Sequence, residues 1–211
     1  KKLVSLAEYV SRMKEEQKTI YYACGDSIKN IDKLPQIESI KEKEYEILYL
    51  TDEVDDFVMN GLREFDGKEI KSVNSDDIID ETEKKEAEEK TKENQDLLTF
   101  VKESLDGKIK EAVISQKLKT HPVCLSSDGV MSLEMEKYFN KMNSEGGVAG
   151  NHILEINSSH KMFKTLTETF ENDKEKAKKL CNILYNQAML IAGFPIDDPT
   201  AYTDMIFDLL A

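Results

Sequence analysis

The chain closes on LCNILYNQAMLI, Leu180 to Ile191, and YTDMIFDLL, Tyr202 to Leu210. Gly193, Pro195 and the pair Asp198-Pro199 separate the two stretches, so each reads as its own helix. Asp198 suits an N-cap and Pro199 a first-turn proline, whose missing N–H has no intrahelical partner to lose. In the first helix Leu180, Ile183, Leu184, Gln187, Ala188 and Ile191 share a face. Cys181, Tyr185, Met189 and Leu190 widen that face beyond one stripe. Tyr202, Met205, Ile206, Leu209 and Leu210 form the second face. Two antiparallel helices with faces this wide are expected to bury them against a second copy, as a dimeric four-helix bundle. The competing reading is the core of a single subunit.

Outward from this hairpin, composition narrows the function. The 211 residues hold 42 acidic against 29 basic side chains, a net charge of −13. Nucleic-acid phosphates and anionic membrane surfaces both need a basic footprint, so neither partner is expected. No run of about 18 apolar residues exists to span a bilayer. Cys24, Cys124 and Cys181 are odd in number and far apart, which fits free thiols in a reducing cytoplasm. The chain opens two residues before a helix signal, as a piece of something longer would.

Ser5-Leu6-Ala7-Glu8 is a capping box, followed by Leu6, Tyr9, Val10 and Met13 at helical spacing. TIYYAC (Thr19–Cys24) and EILYL (Glu46–Leu50) read as strands. The second is apolar enough for a parallel sheet covered on both faces. Ser27 to Leu34 and Ile37 to Lys43 are short helices around Pro35. Asp52 to Phe65 reads as a helix with Val54, Phe57, Val58, Gly61, Leu62 and Phe65 at steps of three and four. Asp66-Gly67 then turns into a strand over Ile70–Val73. This order predicts a three-layer α/β/α unit over residues 1–74.

Residues 75–96 carry ten acids and four lysines, a solvated hinge running into exposed helical turns. Residues 97–211 are expected to form an α+β domain. Leu97, Leu98, Val101 and Leu105 stripe a helix. Strands are expected over Lys108–Ser115, Pro122–Leu125 and Ile153–Asn157, and helices over Met131–Met142 and Lys161–Phe170. A glycine-rich loop spans Ser144–Asn151.

Chemistry-bearing motifs are sparse. Gly146-Gly147 lacks the Lys-Ser/Thr of a phosphate loop. Ser27, after Gly25-Asp26, is an N-cap or a nucleophile on a strand-to-helix turn. Cys124 lies three residues from His121, so a buried thiol competes with a Cys–His nucleophile pair, the premise of a small hydrolase. His121, His152 and His160 show no metal-ligand spacing. Met131, Met135, Tyr138, Phe139 and Met142 share one helix face. That face is either core or an adaptable exposed binding surface.

The segments SLAEYVSRMKEEQKTIYYACGDS (Ser5–Ser27), VDDFVMNGLREFDGK (Val54–Lys68), MSLEMEKYF (Met131–Phe139), ILEIN (Ile153–Asn157) and LYNQAMLIAG followed by DDP resemble, in order, the heat shock protein 90 chaperones of bacterial HtpG type. The resemblance runs from Ser5 to the last residue. It implies the last α/β/α part of a middle domain plus a C-terminal dimerisation domain. The family's ATP pocket and catalytic-loop arginine have no matching positions. ATP and Mg²⁺ are therefore expected only in a longer parent, and no enzymatic activity here. The resemblance maps client contacts onto Phe57 and Asn60 and onto Met131, Met135, Tyr138 and Phe139. It implies non-native client proteins, a second copy and a heat shock protein 70-type chaperone system as partners. Many relatives carry Trp where Phe57 stands. Ser158-Ser159-His160-Lys161 lacks the prolines of the family's Pro-x-His-Pro. The C-terminus lacks the acidic pentapeptide that recruits co-chaperones in eukaryotic members. The alternative is an acidic homodimeric scaffold without client-folding activity.

Overall fold

The computed structural model describes residues 3–75, 81–142 and 147–210. Part of the expected hinge, residues 76–80, and part of the glycine-rich loop, residues 144–146, lie outside the described residues. The architecture is mixed α and β, built on two mixed sheets.

The capping box forms as expected. The Ser5 hydroxyl accepts the Glu8 N–H at 3.2 Å, and the Glu8 carboxylate accepts the Ser5 N–H at 2.8 Å. It starts a helix of only five residues, α1 (Leu6–Val10). Strand β1 (Thr19–Cys24) follows, then α2 (Ile28–Ile31), a 3₁₀ turn (Pro35–Ile37) and α3 (Glu38–Glu42). Strand β2 (Ile47–Leu50), α4 (Asp55–Leu62), β3 (Glu64–Phe65) and β4 (Lys68–Ser72) complete the first unit. Its strand order is β2-β1-β4-β3, with β1 parallel to both neighbours. Because side chains alternate along a strand, β1 feeds two cores. Ile20, Tyr22 and Cys24 pack with Tyr9, Leu48, Met59 and Ile70 on one face. Ala23 packs with Ile31, Ile37, Ile40 and Val73 on the other.

Phe65 departs from the expected helix. Arg63 leaves the helical region at φ 58°, and Glu64–Phe65 pairs antiparallel with Lys68–Glu69. Asp66 and Gly67 both have positive φ, 52° and 70°, as a two-residue hairpin turn demands. The Asp-Gly signal therefore governs the residues before it as well as those after.

The second unit starts with α5 (Glu81–Glu93), whose Thr91 hydroxyl accepts the Ile114 N–H at 3.1 Å, and α6 (Gln95–Ser104). Then come β5 (Glu111–Ile114), β6 (Val123–Ser127), α7 (Leu133–Met142), β7 (His152–Ile156), α8 (Lys161–Asn172), α9 (Lys174–Ala192) and α10 (Pro199–Leu210). Strand β7 lies between β5, to which it is parallel, and β6, to which it is antiparallel. The stripe Leu97, Leu98, Val101 and Leu105 buries with Val123, Leu125, Leu154, Ile156, Leu166, Leu180, Leu184 and Ala188. His160 caps α8 by accepting the Met162 N–H at Nδ1, so the turn forms without either family proline. Gly193 ends α9 at φ 84°.

Between Leu154 and Ile156, Glu155 points to the opposite face of the second sheet. There the buried Lys117 ammonium lies 2.5 Å from its carboxylate. Burial alone would push the Glu155 carboxyl up, but Lys117 and Ser115 hold it below its ordinary range.

The first unit docks on this unit through α3 and the turn before it. Gln36 Nε2 donates to the Leu125 carbonyl at 3.0 Å. Glu38 accepts the N–H groups of Lys119 and Thr120 at 2.7 and 2.9 Å, and also the Thr120 hydroxyl. His121 Nδ1 lies 2.8 Å from the same carboxylate. Burial pushes the Glu38 carboxyl up. The Thr120, Lys119 and His121 contacts outweigh it and hold it at about 2, against an ordinary 4.5. A carboxyl depressed in the folded state stabilises fully above its unfolded value, and that stability is lost as pH falls through the folded one. Glu38→Gln is therefore expected to lower the urea midpoint at neutral pH. It should also flatten the loss of stability between pH 4.5 and 2 relative to wild type. Equal pH slopes for the two proteins would show that Glu38 is not the titrating contact.

Candidate functional site

Asp56 organises the surface between the two units. It is 1% exposed, although Asp is rarely buried without partners. Its carboxylate accepts the Tyr22 hydroxyl at 3.0 Å, the Asn60 side-chain amide at 3.0 Å and the Ser132 hydroxyl at 2.5 Å. Asp56 also sits in the first turn of α4, where the helix dipole favours a negative charge. Ser132 in turn accepts the Met135 N–H at 3.1 Å, so one hydroxyl both caps α7 and ties it to α4. The expected helix over Met131–Met142 starts two residues later, at Leu133, and Met131 lies in the approach to it.

Only Leu133 and Glu136 of α7 are buried. Glu136 Oε2 lies 2.7 Å from His152 Nε2, and the His152 ring packs on Phe194 with centroids 5.3 Å apart. A Cβ at Gly150 would come within 2.6 Å of that carboxylate oxygen, so the glycine permits the close approach. Lys137 donates to Glu134 at 2.6 Å and to the Ala192 carbonyl at the end of α9 at 3.0 Å. The base of α7 is thus held by Leu133 in the apolar cluster and by polar contacts, and its Met and aromatic face is less buried.

That face meets α4. The Phe57 ring lies edge-on to Tyr138 and Phe139, with centroids 5.1 and 5.8 Å apart, and Tyr138 and Phe139 are 5.9 Å apart. These are favourable aromatic separations. Asn60 is exposed and turns its amide back to Asp56; Met131 and Met135 are half-buried. Met142 is 65% exposed. The stripe Val54, Val58 and Leu62 of α4, which periodicity alone would assign to core, faces out, while Asp56 and Met59 face in. These three residues and Met142 extend the apolar surface around the six expected contact positions. The signal was present as an apolar stripe. Its direction depended on the partners of Asp56, which lie far away in sequence.

The closing helices divide. Leu180, Ile183, Leu184 and Ala188 are already buried within one chain, and all but Ile183 join the sheet-facing cluster. Gln187 and Ile191 are half-buried, and Leu190 is exposed. No residue of α10 is fully buried. Tyr202, Met205, Ile206 and Leu209 are half-buried, and Phe207 and Leu210 stand open. A 19-residue helix lying on a three-stranded sheet uses one side for that sheet. The apolar surface left for another molecule is therefore carried mostly by α10.

The candidate nucleophiles resolve to structural roles. Ser27 caps α2, accepting the Asn30 N–H at 3.2 Å. Cys124 is fully buried, and burial pushes its thiol well up; His121 faces Glu38 instead. Among the described residues no group of three or more His, Cys, Asp or Glu is placed to hold a metal ion. Among them, too, no helix is long and apolar enough to cross a membrane.

Removing the Asp56 carboxylate would leave the Tyr22 and Ser132 hydroxyls without this acceptor, while the Asn60 amide keeps the Asp56 carbonyl at 2.9 Å. Asp56→Ala is expected to destabilise the chain by about 3 kcal/mol. Ser132→Ala, which loses the cap and one of these bonds, should cost about 1 kcal/mol. Urea denaturation checks both. Equal effects would deny Asp56 its central place.

The family model described as Hsp90 protein matches residues 1–211. The chaperone protein HtpG of Clostridium acetobutylicum is 51% identical over 210 residues, covering all of this chain and 34% of that protein. HtpG of Bacillus subtilis is 50% identical over 208 residues, covering 98% of this chain and 33% of the relative. HtpG of Clostridium botulinum strain Langeland is 48% identical over 212 residues. The chain thus spans about a third of the length of the curated relatives it matches. With a family model matched end to end and half of its residues shared with the HtpG chaperones, this chain belongs to the heat shock protein 90 family.

Proposed function

We propose that this chain is the client-binding and dimerising portion of an ATP-dependent chaperone. Residues 1–74 supply the end of its middle domain, residues 97–211 its C-terminal dimerisation domain, and residues 75–96 the charged hinge. The observation that carries this reading is the aromatic cluster of Phe57, Tyr138 and Phe139, assembled from two sheet units and left partly open. Asn60, Met131 and Met135 border it. Methionine and aromatic side chains adapt to many partner shapes, which suits non-native or near-native proteins with no fixed sequence.

The second half of the proposal is the homodimer. Helix α10, with the half-buried Tyr202, Met205, Ile206 and Leu209 and the exposed Leu210, pairs with its copy, joined by Gln187 and Ile191 of α9. Leu180, Ile183, Leu184 and Ala188 support that face from within. Pairing places two weak client surfaces on one molecule and raises the effective concentration of the second once the first is engaged. ATP, Mg²⁺ and hydrolysis belong on this reading to the longer protein, and this chain acts without them. It works in the cytoplasm with client proteins and a heat shock protein 70-type system, and with neither nucleic acid nor membrane.

Phe57→Ala combined with Phe139→Ala is expected to weaken binding of a chemically unfolded client about tenfold, or roughly 1.4 kcal/mol. The thermal midpoint should hardly move. Fluorescence anisotropy and calorimetry read the two quantities, and unchanged client affinity would remove the surface from the proposal. For the dimer, Phe207→Glu with Leu210→Glu places charges on exposed positions of α10 and should yield monomers in sedimentation velocity. Leu184→Glu is not diagnostic, because it would disrupt this chain's own core. A Phe207→Glu/Leu210→Glu variant that still sediments as a dimer would rule out this interface.

A further inference from the structure

Three cysteines and eight methionines carry the sulfur of this chain. Sulfur side chains are the ones a peroxide attacks, so their placement decides where an oxidant acts. We propose that Met142 is an oxidation site, where a peroxide converts the thioether to a sulfoxide and so weakens client binding on the α7 face. This rests on the client-binding reading and adds a means of regulating that surface.

The cysteines are shielded. Cys24 is 7% exposed, and Cys124 and Cys181 are fully buried. Burial pushes all three thiols up, Cys181 to about 12, so the reactive thiolate is scarce. A thioether reacts through its lone pair and needs no deprotonation. Among the methionines, Met59 sits in the first core at 8% exposure, and six others are half-buried. Met142, the last residue of α7, is 65% exposed. All of these sulfur-bearing residues lie among the described ones, and Met142 is the one that stands open to solvent.

Position gives this exposure a consequence. On a helix, residues three and four apart are neighbours. Met142 therefore lies one turn beyond Tyr138 and Phe139, the rings that pack edge-on against Phe57. Met131 and Met135 border the same cluster but are half-buried, so they are slower targets on one surface. With hydrogen peroxide, a lone pair of the Met142 sulfur attacks one peroxide oxygen. The S–O bond forms, the O–O bond breaks, and the leaving hydroxide takes the proton of the transferred oxygen to become water. Sulfur is oxidised by two electrons and the peroxide is reduced by two. The sulfoxide oxygen is a hydrogen-bond acceptor, and covering it with apolar partner surface without a donor is costly. Met142 belongs to none of the buried clusters of this chain, so client affinity falls while the fold holds.

The test treats the 211-residue chain with hydrogen peroxide, removes the excess with catalase, and measures binding of a chemically unfolded client by fluorescence anisotropy. Peptide mapping by mass spectrometry follows each methionine. Met142 sulfoxide is expected to form about tenfold faster than Met59 sulfoxide. All three thiols should remain titratable after denaturation. Client affinity should fall about fivefold as Met142 converts, and methionine sulfoxide reductases should restore it. The thermal midpoint should hold. Met142→Leu keeps the apolar bulk, so it should bind client normally and lose most of its response to peroxide. Met13→Leu, at a half-buried methionine of the first unit, should respond as the wild type does. Met142 sulfoxide forming no faster than Met59 sulfoxide overturns the site. Complete conversion of Met142 without loss of affinity overturns the switch, as does an equal loss in Met142→Leu. In both of those results the untreated chain still binds client, so the client surface stands. An untreated chain that binds no client removes the client-binding reading itself, and the switch with it.

Discussion

A carboxylate with three donors and almost no access to water holds this molecule in register. Asp56 gathers a tyrosine hydroxyl from β1, an amide from its own helix and the serine that caps α7. Each donor fixes a different element, so the position of one side chain sets the relation of the first sheet, α4 and α7. Without that junction, Phe57 would have no reason to lie within 6 Å of Tyr138 and Phe139. The burial of a charge is expensive in general, and here it is offset by hydrogen bonds and by the N-terminal end of the α4 dipole. Such a junction is specific in geometry, because any displacement leaves a donor unmatched.

Much of this was visible in the sequence, and the reasons are local. Ser5-x-x-Glu8, the β-branched and aromatic run Thr19–Cys24, Asp66-Gly67 and Asp198-Pro199 all act within a few residues, and each appears where its chemistry predicts. The stripe on α4 was equally visible, yet its direction was not. Periodicity states that a helix has two faces, but not which one meets protein. Val54, Val58 and Leu62 face out because Asp56 and Met59 are claimed from within. The same limit applies to α9, whose wide apolar face divides between its own sheet and the outside. The pairs Lys117–Glu155 and Glu136–His152 join residues 38 and 16 positions apart and leave no local signature at all.

Away from the Phe57–Tyr138–Phe139 cluster, the two units meet through polar chemistry. Glu38 reaches the turn at Lys119–His121, Gln36 reaches a strand carbonyl, and Asn74 leaves an oxygen unmatched. An interface of this kind gains little from apolar area, so its strength depends on hydrogen-bond geometry. By contrast, each unit has its own apolar cluster. The design keeps greasy surface for the interior of each unit and for the outward faces of α4, α7 and α10.

The placement of β7 carries a consequence for the birth of the chain. It sits between β5 and β6 although it follows both, and its parallel partner Glu111 lies 42 residues before Ile153. Until His152–Ile156 has emerged from the ribosome, β5 and β6 have no common neighbour to join them. Their backbone edges stay unsatisfied, and closure must wait for a distant segment, which slows assembly. A nascent chain built this way presents open strand edges of the kind that prompts aggregation, so a member of a chaperone family passes through a vulnerable stage of its own.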